Sequence, residues 1–178
     1  MKHLYLLILP FVLVACNQSA PKVTTVVINE ICGKDADGLE WVEVANASSE
    51  AINLKGYKLI KMDDEGIEKT LYTFGDTIIA PGAIMTINKE QLKAKIPSTK
   101  AIIVELLNPN KETVDYFDSD ETLDADGHPE GGSYARVPNA SGNWAITTQA
   151  TWNAPNEANA PTVTDEELDL DDFDEDDD

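Results

Sequence analysis

The chain has 178 residues, with 13 Lys+Arg against 33 Asp+Glu and a formal charge of −20. That sign is wrong for holding phosphate backbones by counterion release, so nucleic acid is not an expected partner. The length suits one ordinary domain once a removable leader is set aside, and residues 165–178 carry 11 of the 33 acids and no base, so the body is only moderately acidic.

Residues 1–15 have the layout of a secretory signal: Lys2 gives a positive start, and Leu4 to Val14 is an apolar run broken by Pro10. A run of this length falls short of the roughly 20 apolar residues that span a bilayer. The ending Leu13-Val14-Ala15-Cys16 resembles the bacterial lipobox, which implies cleavage before Cys16 and acylation of its thiol. Two or three acyl chains anchor stably where one chain is marginal. The plainer alternative is ordinary signal cleavage near Ala20. Residues 16–23 then form a polar tether, and the six residues Asn17 to Lys22 reach at most about 20 Å, which holds the domain close to the membrane. By resemblance to the enterobacterial sorting rule, Asn17 in place of Asp argues for the outer membrane of a bacterial cell envelope.

From Val23 the chain turns β-rich. Val23 to Cys32 is dense in Val, Thr and Ile, and Leu39 to Asn46 alternates with the period of a half-buried strand, with Gly33 to Gly38 as the loop between. Ala51 to Leu54 is a short extended piece. Tyr57 to Met62 and Glu68 to Phe74 are strands around the acidic turn Asp63-Asp64-Glu65-Gly66. Alternation in the second places Leu71 and Thr73 on one face, with Tyr72 and Phe74 on the other. Thr77 to Ala80 and Ala83 to Asn88 flank Pro81-Gly82, which has the Pro and Gly that a type II turn requires. Lys89 to Ile96 is the one expected helical turn, limited by Pro97. Ala101 to Leu107, Thr113 to Phe117 and Ser133 to Val137 are the remaining strands, and Asp118 to Gly132 is a long acidic loop. Trp144 and Trp152 are expected to cap the core. Strands at this spacing with turn signals between them read as an all-β sandwich. Residues 161–178, acidic and poor in apolar residues, are expected to be disordered.

Ile28-Asn29-Glu30-Ile31, Glu40-Trp41-Val42-Glu43-Val44 with Asn46, and Asn53-Leu54-Lys55-Gly56-Tyr57-Lys58-Leu59 resemble the bacterial lamin-tail domain. Ile79-Ala80-Pro81-Gly82-Ala83 matches that family's Pro-Gly turn. Ser133-Tyr134-Ala135-Arg136 with Trp144, and Thr151 to Asn159, resemble its closing segment. Trp152-Asn153-Ala154-Pro155 stands where Thr-Pro-Gly would be expected, which leaves the path of the final strand open. The resemblance implies an immunoglobulin-like β-sandwich over residues 24–160. It implies an anchored or secreted accessory module, with no family chemistry and no catalytic residues to carry over.

Arg136 is the only arginine, and Glu30 and Glu43 sit within strand patterns that otherwise bury. A buried carboxylate needs a partner, so Arg136 is expected to pair with Glu30 or Glu43 and lock the last strand to the first two. Cys32 is the only thiol left beside an acylated Cys16, so no disulfide is expected, and it reads as a small buried strand residue. His128 has no second His or partnered Cys beside it, which argues against zinc. No nucleophile motif of the Gly-x-Ser-x-Gly kind accompanies it, which leaves a hydrolase as a minor alternative. The identical tetrapeptides Asp35-Ala36-Asp37-Gly38 and Asp124-Ala125-Asp126-Gly127, with Asp118 and Asp120 ahead of the second, offer a possible calcium site. They lack EF-hand spacing, and solvated turn acids are the simpler reading. The glycosylation sequons at Asn46 and Asn139 carry no weight beside a lipobox. The main expectation is a non-enzymatic, membrane-anchored lipoprotein without a cofactor that binds an envelope protein or polysaccharide. A calcium-dependent binding module is the alternative.

Overall fold

A computed structural model describes residues 25–62 and 66–156. The expected signal segment, Cys16 with the expected tether, the expected acidic turn at 63–65 and the acidic C-terminal segment lie outside the described residues.

Eleven strands among the described residues form two facing antiparallel sheets and a small ribbon. The five-stranded sheet has the order β11-β10-β1-β2-β7, built from β1 (Val26–Cys32), β2 (Trp41–Asn46), β7 (Ile84–Asn88), β10 (Ser133–Val137) and β11 (Asn143–Thr147). The four-stranded sheet has the order β5-β4-β8-β9, from β4 (Lys58–Met62), β5 (Glu68–Thr73), β8 (Ile103–Leu107) and β9 (Thr113–Asp118). The ribbon β3 (Ile52–Asn53) with β6 (Ile78–Ile79) adds Ile79 to the core, beside the neighbouring Leu54 and Phe74.

The inner faces are the apolar halves of the alternation. Ile28, Ile31, Val42, Val44, Ile87 and Tyr134 of the five-stranded sheet meet Leu59, Leu71, Val104, Leu106 and Phe117 of the four-stranded sheet in one core. Strand β2 differs from the expected half-buried pattern, because every residue of β2, as of β1, is buried. Their outer face is covered too. Phe74 also joins Leu71 in the core, against strict alternation, because β5 ends at Thr73 and its register with β4 shifts between Leu59 and Ile60.

Lys89 to Ile96 forms turns, not a helix. The amides of Gln91 and Leu92 bond Asn88 O, but Lys93 N then bonds Leu71 O of β5 and Ile96 N bonds Glu40 Oε2, which draws the backbone off the helical path. The short helix α1 (Ser119–Leu123) lies instead inside the expected acidic loop. Asp118 caps it by accepting from the amides of Asp120 and Glu121. The Pro81-Gly82 turn forms as expected, with Gly82 at φ 70°. Its flanking strands pair elsewhere, β6 with β3 and β7 with β2.

Candidate functional site

Pairing in the five-stranded sheet fixes which side chains share its outer face. Glu30 of β1 stands directly opposite Glu43 of β2, Cys32 stands opposite Trp41, and Thr86 of β7 flanks Glu43. Ser133 of β10 and Thr147 of β11 continue the row. Residues 148–156, which follow β11, run over this face. Thr151 N and Asn153 N donate to Glu30 Oε1 at 2.9 Å and Glu43 Oε1 at 2.6 Å. Asn156 Nδ2 donates to the Asn29 carbonyl at 3.1 Å, and Trp152 sets its ring edge-on to Trp41 at 5.6 Å.

Both carboxylates are fully buried. Glu30 also makes hydrogen bonds with the hydroxyls of Ser133 and Thr151, each at 2.5 Å. Glu43 takes them from Thr86 Oγ1 at 2.8 Å and Asn29 Nδ2 at 3.3 Å. Burial pushes the Glu43 carboxyl up to about 7, the charge of Glu30 adds to the rise, and the bonds from Thr86, Asn153 and Asn29 oppose it. Burial raises Glu30 as well. Two like charges opposed in a buried site cannot both ionise freely, so the two titrate as a pair.

Arg136 does not reach either glutamate. Its Nη2 pairs with Asp115 of β9, 3.0 Å from Oδ1 and 3.1 Å from Oδ2. The reason is register: Ala135 is the residue opposite Glu30, and a strand's next residue points to the other face. Arg136 therefore faces inward beside Trp144, whose ring lies 4.7 Å from its guanidinium carbon. There the ion pair stands in for missing strand pairing. The register of β1 shifts between Ile28 and Glu30, and Ile28 N bonds Asp115 Oδ2 while Ile28 O accepts from Arg136 Nε. The expected link from the last strands to β1 thus exists, but through the backbone of Ile28, and it reaches across to the second sheet.

Among the expected calcium ligands, Asp35, Asp118 and Asp124 have local structural roles. Asp35 Oδ1 accepts from the amides of Asp37 and Leu39, Asp118 caps α1 and accepts from Tyr116 Oη, and Asp124 is the left-handed C-cap of α1. Among the described residues, no three His, Cys, Asp or Glu side chains gather to hold a metal ion. Cys32 is buried and free, its thiol pushed up to about 12 by burial. His128 is buried as well. Its Nε2 accepts from Gly33 N at 2.9 Å, which makes it a neutral pin between two loops, and burial lowers its pKa. Trp144 packs on Phe117 in the core, as expected. Trp152 is 44% exposed on the outside of the sheet and does not cap the core.

The outer face of the four-stranded sheet is different in kind. It holds an open groove of about 490 Å³, floored by Ile60 and Leu107 and lined by Lys58, Lys111, Glu68 and Glu105. Lys58 is opposite Leu107, and Ile60 is opposite Glu105, in the β4–β8 pairing. Tyr116, partly exposed, is opposite Glu105 on β9. Periodicity could have found this face, since these are the residues that alternate with Leu59, Val104 and Leu106. It could not show that the other sheet's outer face would be covered and this one left open by the described residues.

Two facing antiparallel sheets around one core, without converging catalytic groups among the described residues, define an immunoglobulin-like β-sandwich module. The model of the Lamin Tail Domain family matches residues 19–121, more than half of the chain, and the chain belongs to that family. Strands β10 and β11 and the covering segment lie beyond the matched residues. Curated protein sequences give no match. Among solved structures, the archaellum periplasmic stator protein FlaG from Sulfolobus acidocaldarius is similar, with 13% identity and a TM-score of 0.40, over 54% of this chain and 99% of that one.

Proposed function

We propose that the protein is a lipid-anchored, non-catalytic module of the bacterial cell envelope that binds an envelope protein or polysaccharide through the groove on its four-stranded sheet. The lipobox-like Leu13-Val14-Ala15-Cys16 supports anchoring through an acylated Cys16. One observation carries the binding role: among the described residues, the sandwich covers one outer face with its own chain and leaves the other open as a groove of mixed charge and aliphatic floor. A few convergent polar groups over an apolar floor are what recognition sites use. The carboxylate pair, by contrast, is fully buried, its oxygens engaged by Ser133, Thr151, Thr86, Asn153 and Asn29. That argues against the hydrolase reading.

The test is affinity capture from solubilised membranes with the full chain and with a Lys58→Glu/Glu105→Lys variant. Partners retained by the wild type should be lost by the variant while its melting temperature is unchanged. Capture of the same partners by both would refute the groove as the binding surface.

A further inference from the structure

Hydrogen-bond bookkeeping around Thr151 places a proton. Thr151 Oγ1 lies 2.5 Å from Glu30 Oε2 and 2.5 Å from Asn156 Oδ1. The Asn156 amide is oriented by its Nδ2, which donates to Asn29 O at 3.1 Å, so an atom that only accepts faces the threonine. A hydroxyl has one proton and cannot donate to both neighbours. The chain is satisfied when Glu30 is a carboxylic acid: Glu30 Oε2–H donates to Thr151, Thr151 to Asn156 Oδ1, and Asn156 Nδ2 to Asn29 O. Glu30 Oε1, left as a carbonyl oxygen, accepts from Ser133 Oγ and Thr151 N. Glu43 meets donors only, from Thr86, Asn153 and Asn29.

We propose that residues 148–156 are a proton-linked strap over the five-stranded sheet, shut by a neutral Glu30 and loosened when that proton leaves to solvent. Loss of the proton turns Glu30 Oε2 into an acceptor, which takes the Thr151 hydroxyl proton and sets Asn156 Oδ1 against a lone pair. It also puts a second negative charge opposite Glu43, where like charges are destabilising. Release lets water reach both carboxylates and uncovers Trp41 and the outer face of β1 and β2.

Glu43, raised to about 7, titrates on this face together with Glu30 as a pair, and the Glu30→Gln variant below keeps Glu43 while removing the proposed proton. The strap carries no charged side chain. The sheet contributes Thr86, Ser133 and Thr147 and Cys32, whose thiol is held far above neutrality. Glu40, next to Trp41, is engaged by Ile96 N. At the loop end, His128 contacts Gly33 rather than the strap, and Lys34 pairs with Glu130.

The test is amide hydrogen exchange of the 148–156 peptide in the full chain at pH 5.5 and pH 8, corrected for the intrinsic pH dependence of exchange. One linked proton should lower protection of the strap at least about tenfold at pH 8, while peptides from β4 and β8 keep theirs. In Glu30→Gln an amide N–H can donate to Thr151 in place of the acid, so the strap should stay protected at pH 8. Thr151→Val breaks the relay and should leave the strap loose at both pH values. The proposal is overturned by equal protection of the wild-type strap at both pH values, or by protection lost evenly across β4 and β8. It is also overturned if Glu30→Gln follows the wild type. Should Glu30→Gln fail to fold, a Thr151→Val protein that keeps the wild-type pH dependence overturns it equally.

Discussion

Glu43→Gln is the most informative single substitution for the energetics of the covered face. The folded protein raises the Glu43 carboxyl from the ordinary 4.5 to about 7, so the native state holds this proton more tightly than the unfolded chain. A raised pKa contributes stability that is present below about 4.5 and is lost as pH rises through about 7. At about 1.36 kcal/mol per pH unit, the interval amounts to roughly 3 kcal/mol at pH 8, most of which develops between pH 5 and pH 8. Gln keeps an acceptor for Thr86 and Asn153 but turns a donor toward Asn29 Nδ2, at a pH-independent cost of about 1 kcal/mol. Chemical denaturation of both proteins across pH 5 to 8 reads the effect of the coupled pair, because His128 and the titrating groups away from this face are common to both. The variant should gain roughly 2–3 kcal/mol relative to wild type from pH 5 to pH 8, or roughly 5–10 °C in melting temperature. A difference between the two proteins that does not change with pH would refute the reasoning.

Arg136→Ala should destabilise by about 3 kcal/mol in urea denaturation, because it leaves Asp115 uncompensated with side chains only 18% and 14% exposed in the pair, and frees Ile28 O. A variant that melts no lower than wild type contradicts the role of the pair. His128 has a lowered pKa, so its contribution is complete above about 6.5 and is lost as pH falls below that value. The melting-temperature advantage of wild type over His128→Phe should therefore shrink from pH 7.5 to pH 5, and an advantage that holds constant or widens on acidification rules out the neutral pin.

The fold was readable because most of the strands obey period-2 alternation and the turns carry their own chemistry, as Pro81-Gly82 does. Element type failed where a distant partner overrode local preference. Lys89 to Ile96 has helix-forming residues, but Leu71 O and Glu40 capture its amides. Strand β11 escaped notice because Trp144 stands among polar neighbours, and a single tryptophan carries no period. The candidate site was half readable. Buried acids at Glu30 and Glu43 follow from alternation, as does the need for partners. Which partners they find depends on register, and one residue separates Ala135, opposite Glu30, from Arg136 on the other face. Asp115, Ser133, Thr151, Asn153 and Asn156 lie 14 to 127 positions away in sequence from the residues they hold. Nothing in the local pattern of a Thr or an Asn says that it will lie over a carboxylate.

Fractionation of cells expressing the full chain and Cys16→Ser bears most directly on the central claim of a lipid-anchored envelope module. The wild type should sediment with membranes, carry a fatty-acid label and leave them only with detergent, whereas Cys16→Ser should be unlabelled and appear in the soluble fraction. A Cys16→Ser protein that stays with the membranes would contradict the account.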